Sequence, residues 1–187
     1  AFGARSVLSG MDFDADGNKE FLFTTDETLA PQGPDPGFLE VFLYEASGDD
    51  SYDYVWHYTH PDGSNSLPPI GYGDIDEDGL FEIYFGIPTI NDDPNDLFVF
   101  EQNADLTFPD APTVTWDYDR DGAADFRPSG FQIVDVDGDG QQELLTTSRT
   151  SGNRELVIAA PNGALDAFTT WTIEHEAGED ILGGGGV

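Results

Sequence analysis

The sequence predicts an all-β chain built from tandem four-stranded antiparallel units, and three observations carry that expectation. An acidic loop motif recurs at a long, nearly constant period. Short apolar runs bounded by turn residues follow each recurrence. No segment has the 3.6-residue periodicity of a helix longer than a turn. The motif writes an aspartate at every second position and then a glycine: Asp12-Phe13-Asp14-Ala15-Asp16-Gly17, Asp74-Ile75-Asp76-Glu77-Asp78-Gly79 and Asp135-Val136-Asp137-Gly138-Asp139-Gly140. From Asp12 to Asp74 is 62 residues and from Asp74 to Asp135 is 61.

The elements follow in the same order in each repeat. Ahead of the loop stands a strand: Ser6–Gly10, Ile70–Gly73 or Gly130–Val134. Behind it come runs too short for a helix, Phe21–Phe23, Ile83–Phe85 and Leu144–Leu145. A polar stretch leads to a third, core-type strand, Leu39–Tyr44, Leu97–Phe100 or Leu156–Ala159. The last strand carries the tryptophan of the repeat, Trp56, Trp116 or Trp171, whose constant phase reads as packing between units. Tyr52, Tyr54, Trp56 and Tyr58 alternate, which predicts that all four share one sheet face. His57 and His60 read as edge-strand surface residues.

Such units in tandem point to a β-propeller-like array of about three blades, roughly 1–62, 63–127 and 128–180, with a further repeat opening at 181–187. Propellers have about four to eight blades, so the ring is incomplete within the chain. The expected partners are therefore a second copy in a homo-oligomer or filament, or the rest of a larger propeller. The N-terminus, Ala1-Phe2-Gly3-Ala4-Arg5, has neither an initiating Met nor a signal-peptide core and reads as that of a mature or excised piece.

Charge narrows the function. There are 38 Asp and Glu against six Lys and Arg, a net charge of -32, which excludes a phosphate-tracking surface for nucleic acid or anionic membrane. No apolar run is long enough to insert into a bilayer. The 14 Phe, 7 Tyr and 3 Trp supply a core that a disordered acidic chain would lack. Cysteine is absent, so neither disulfides nor thiol chemistry are available. No nucleophile–base pairing or phosphate-binding glycine loop stands out, and the chain reads as non-enzymatic.

Carboxylates this dense repel one another unless a cation sits between them. In Asp-x-Asp-x-Asp-Gly-x-x-Glu the side chains at positions one, three, five and nine turn inward, a backbone carbonyl at position seven adds an oxygen, and the glycine permits the sharp turn. Hard oxygens in that number suit Ca²⁺, whereas Zn²⁺ prefers nitrogen and sulfur and Mg²⁺ a tighter octahedron. An EF-hand would need a glutamate at position twelve, where Phe23, Phe85 and Thr146 stand, and flanking helices. A fourth acidic loop, Asp117, Asp119, Asp121 and Asp125 with Ala123 at the carbonyl position, falls between the second and third repeats.

These residues resemble the FG-GAP or VCBS-type repeats of integrin-α-like propellers. The likeness rests on Phe2-Gly3 with Ser6–Gly10 and Asp12–Phe23, and recurs from Gly71 to Phe85 and from Gly130 to Leu145. It implies that the calcium loop is the hairpin between the first two strands of a blade. The ligands it implies are Asp12, Asp14, Asp16 and Glu20; Asp74, Asp76, Asp78 and Glu82; and Asp135, Asp137, Asp139 and Glu143. Asn18, Leu80 and Gln141 would add backbone carbonyls. Three to four calcium ions are expected, with a structural role. Extracellular modules hold calcium with dissociation constants on the order of 10⁻⁴ to 10⁻³ M, which points to a secreted or cell-surface protein. The expected function is adhesion, assembly or display of a ligand such as a glycan or surface protein. A lectin module, or a domain of an extracellular polysaccharide-active enzyme, is the alternative.

Overall fold

The computed structural model describes residues 3–26, 39–61, 69–87, 97–116, 128–148, 155–161 and 168–174. Twelve strands and no helix lie among them: β1 Gly3–Met11, β2 Glu20–Asp26, β3 Leu39–Gly48, β4 Ser51–His60, β5 Ile70–Gly73, β6 Glu82–Gly86, β7 Leu97–Glu101, β8 Val114–Trp116, β9 Pro128–Val134, β10 Glu143–Ser148, β11 Glu155–Pro161 and β12 Phe168–Glu174. They form three four-stranded antiparallel sheets, β1-β2-β3-β4, β5-β6-β7-β8 and β9-β10-β11-β12, each strand pairing with its neighbour in sequence. The all-β expectation and its strand assignments hold. The 117–125 loop, the repeat opening at 181–187 and most of the connecting segments 30–37, 86–96 and 146–154 lie outside the described residues.

The middle sheet is covered on both faces, and its sequence shows why. Strands of a half-exposed antiparallel sheet alternate apolar and polar, but β6 reads Glu-Ile-Tyr-Phe-Gly and β7 Leu-Phe-Val-Phe-Glu, buried almost throughout. Ile83, Phe85, Phe98 and Phe100 enter a core shared with Leu22, Leu39, Val41, Leu43 and Trp56 of the first sheet. The alternate residues Tyr84, Leu97 and Val99 enter a second core with Leu144 and Ala159 of the third. Trp56 is buried in the first core and donates from Nε1 to the Pro109 carbonyl at 2.9 Å, while Trp116 packs against the second.

Glycine lets β5 and β9 cross closely. A Cβ on Gly71 would lie 2.6 Å from Phe131 Cβ, and one on Gly73 would lie 2.7 Å from three side-chain carbons of Ile133. Such distances are far inside van der Waals contact, so neither position tolerates a side chain without moving the sheets apart.

Two expectations need correction. Leu43 pairs with Trp56 but Tyr44 pairs with Tyr54, so an extra residue, Val55, bulges from β4. A bulge reverses the facing of everything beyond it. Trp56 and Tyr58 therefore point into the first core, while Tyr52 and Tyr54 point out beside Phe21 and Tyr44. His57 is on the exposed outer face, stacked on Phe42, but His60 is buried at 3% exposure against Tyr58 and Phe98 and is no surface residue.

Candidate metal centres

All three in-phase acidic loops are hairpins joining the first two strands of their sheets, and they close in the same way. The amide at position two donates to the position-nine glutamate: Phe13 N to Glu20 Oε2 at 3.1 Å, Ile75 N to Glu82 Oε2 at 2.9 Å and Val136 N to Glu143 Oε2 at 2.8 Å. The position-six glycine amide donates to the first aspartate at 3.3, 3.1 and 3.1 Å. The position-seven amide donates to the third aspartate at 2.7, 2.8 and 2.8 Å. Backbone donors thus hold these carboxylates in place, and in the second loop Asp74 and Glu82 each keep the other oxygen without a hydrogen bond.

The turn needs two left-handed residues. Gly17, Gly79 and Gly140 have φ of 95°, 90° and 97°, as the motif implies. Position four is left-handed too: Ala15 and Glu77 at 59° and Gly138 at 80°. Non-glycine residues adopt that conformation at a cost of about 1–2 kcal/mol, so two loops carry strain that the third avoids. In sequence the signal was Gly138 alone.

The hairpins converge carboxylates into groups that could hold a metal ion, with one oxygen from each residue within 4.8 Å of the others. In the second loop all four expected residues meet: Asp74, Asp76, Asp78 and Glu82. In the first, Asp12, Asp14 and Glu20 form one group, and Asp14 and Asp16 form another with Glu45. In the third, Asp135, Asp137 and Glu143 come together, without Asp139. Glu45 was not visible in the sequence because it reaches the loop only through register, standing opposite Glu20 across β2 and β3. The same register puts Glu101 opposite Glu82, and Ala160 takes the corresponding place in the third sheet.

The surroundings differ in ways that matter electrostatically. Lys19 Nζ lies 3.3 Å from Asp12 Oδ2, an internal cation at the first loop. Although partial burial acts in the opposite sense, the Gly17 amide and Lys19 hold the Asp12 carboxyl below its ordinary value. At the second loop no such cation stands among the described residues. Glu82 is fully buried, and burial pushes its carboxyl up to about 8 despite the Ile75 amide and the Tyr84 hydroxyl, which donates at 3.0 Å. Burial also raises Glu20 and Asp76, and it raises Glu101 together with the charges of Asp78 and Asp76.

Three oxygens test whether this loop fits a cation. Asp74 Oδ1, Asp76 Oδ1 and Glu82 Oε1 are buried without any hydrogen-bond partner. Leaving a buried polar atom unpaired costs about 1–3 kcal/mol, more when charged, and here three such acceptors belong to residues of one carboxylate cluster. A cation among them satisfies all three at once, so the residues present fit one. Compared with protein-family models, with curated proteins and with solved structures, the chain has no match.

Proposed function

We propose that the chain is a calcium-binding, propeller-like module of a secreted or cell-surface protein, working in adhesion, assembly or ligand display rather than catalysis. The observation that carries the metal part is a buried, unpartnered oxygen on each of Glu82, Asp74 and Asp76, three members of one convergent carboxylate group. Calcium is preferred because the donors are all oxygens on a hairpin, a set that tolerates its long, variable bonds, and because no His or Cys joins any of the groups. The resemblance of the loops to FG-GAP or VCBS-type repeats supports the same choice.

The ion's role in this reading is to brace a hairpin. Each loop joins the first two strands of a sheet, and in the first two loops the second residue, Phe13 or Ile75, packs into the core. Ordering the hairpin therefore orders the packing between sheets. The weak dissociation constants of extracellular calcium modules favour a calcium-rich compartment.

Isothermal titration of EDTA-treated protein tests the reading. Calcium is expected to bind, to raise the melting temperature, and to do both better than magnesium. A Glu82→Gln variant is expected to lose the binding step of the second loop. Equal heats and melting shifts for both ions, or none for either, would remove calcium from the proposal.

A further inference from the structure

Sheets in this molecule stack with a constant sense. Ten residues after the first aspartate of each loop stand Leu22, Tyr84 and Leu145, on what we call the forward face. On either side of them Phe21 and Phe23, Ile83 and Phe85, and Leu144 and Thr146 occupy the rear face. The forward face of the first sheet packs on the rear face of the second, and the forward face of the second on the rear of the third. Two faces remain without a partner among the described residues: the rear of the first sheet and the forward of the third.

Neither looks like a face made for water. At the rear of the first sheet stand Phe21, Phe23, Phe42, Tyr44 and, 53% exposed, Tyr54. Through the strand registers Phe23, Phe42 and Tyr44 correspond to Phe85, Phe98 and Phe100, the aromatic set that the second sheet buries against the first. At the forward face of the third sheet, Leu145 and its cross-strand partner Ile158 correspond to Leu22 and Leu43, which accept that aromatic set. The hairpin of the third sheet repeats the point. Its second residue, Val136, is 46% exposed, whereas the equivalent Phe13 and Ile75 are buried under the next sheet at 5% and 1%. Val134, 41% exposed, stands where the first sheet buries Met11 at 4%.

We propose that these two faces are the halves of one interface between copies of this chain, the forward face of the third sheet in one copy docking on the rear face of the first sheet in another. The contact would repeat the one between the first and second sheets, aliphatic forward residues against aromatic rear ones. It gives the assembly part of the functional reading a partner and a surface, but it stands on sheet packing and not on the metal.

The correspondence of both faces with a contact already made inside the chain favours another sheet over a sugar: the rear face repeats the aromatic set, and the forward face the aliphatic set, that meet between the first and second sheets. The interface is head to tail, so it closes into a ring if the rotation allows and otherwise grows as a filament.

Sedimentation velocity across protein concentration, with calcium and high salt to screen the net charge, tests this. The unmodified chain is expected to associate, and Tyr54→Lys and Val134→Lys, one on each face, to weaken association by at least about tenfold. Circular dichroism and melting curves establish that both variants remain folded. Because each variant retains one sound face, an equimolar mixture is expected to form a dimer that grows no further. Association in EDTA at high salt would separate this interface from the calcium reading. A chain that stays monomeric, variants that associate as well as the parent, or a glycan that binds the aromatic face in place of a second copy would each overturn the proposal.

Discussion

Glu82 sets the chemistry of the second hairpin because a fully buried carboxylate cannot stay charged without help. With no cation its folded value lies at about 8, well above the ordinary 4.5. A raised carboxyl means that the folded chain holds a proton which the unfolded chain releases, so between those two values stability falls as pH rises. In EDTA the melting temperature is expected to drop from pH 5 toward pH 8, and Glu82→Gln, which cannot ionise, to flatten that slope. With calcium the sign reverses, because ion and proton compete for the same oxygens and binding strengthens as pH rises. Position four of each loop offers a second test at this scale. Gly138 is left-handed with open space around it, so Gly138→Ala should cost about 1 kcal/mol through backbone strain alone, and Ala15→Gly should gain a similar amount. Chemical denaturation measures both.

Among the elements, β5 and β9 depend on missing side chains as much as on present ones. Gly73→Ala would drive a methyl into Ile133, with an expected loss of about 1–3 kcal/mol and a weakened contact between the second and third sheets. Denaturation together with hydrogen exchange at β9 would read both effects. Much at this scale was legible in the sequence: the loops announce their hairpins, and the runs around Phe21–Phe23, Ile83–Phe85 and Leu144–Leu145 are strands as read. What escaped was register. One extra residue, Val55, turns Tyr52 and Tyr54 away from Trp56 and Tyr58, and no local pattern announces a bulge that depends on the partner strand. Glu45 was hidden for the same reason, since its place beside the first loop follows from pairing across β2 and β3. His60 looked like a polar end of an edge strand until the second sheet folded over it.

For the whole molecule the governing quantity is the net charge of -32. Self-repulsion on that scale opposes compactness, and salt screens it with a Debye length of about 10 Å at 0.1 M. EDTA is expected to lower the melting temperature strongly, and sodium chloride to restore part of the loss without matching calcium, because a diffuse ion atmosphere cannot reach three buried oxygens. A thermal-shift series in salt, with and without calcium, separates the two contributions. Full recovery by salt would mean that long-range repulsion, and not the unpaired loop oxygens, was the fault.

The second residue of each hairpin also gives the stack a direction of wear. Phe13 is pegged among Tyr72, Phe81 and Phe108, and Ile75 among side chains of the third sheet, so each unit is keyed into the one after it. Among the described residues Val136, 46% exposed, is a peg without a socket. Breathing of the isolated chain should begin at that loose end and travel backward unit by unit, as a zip opens from its last tooth.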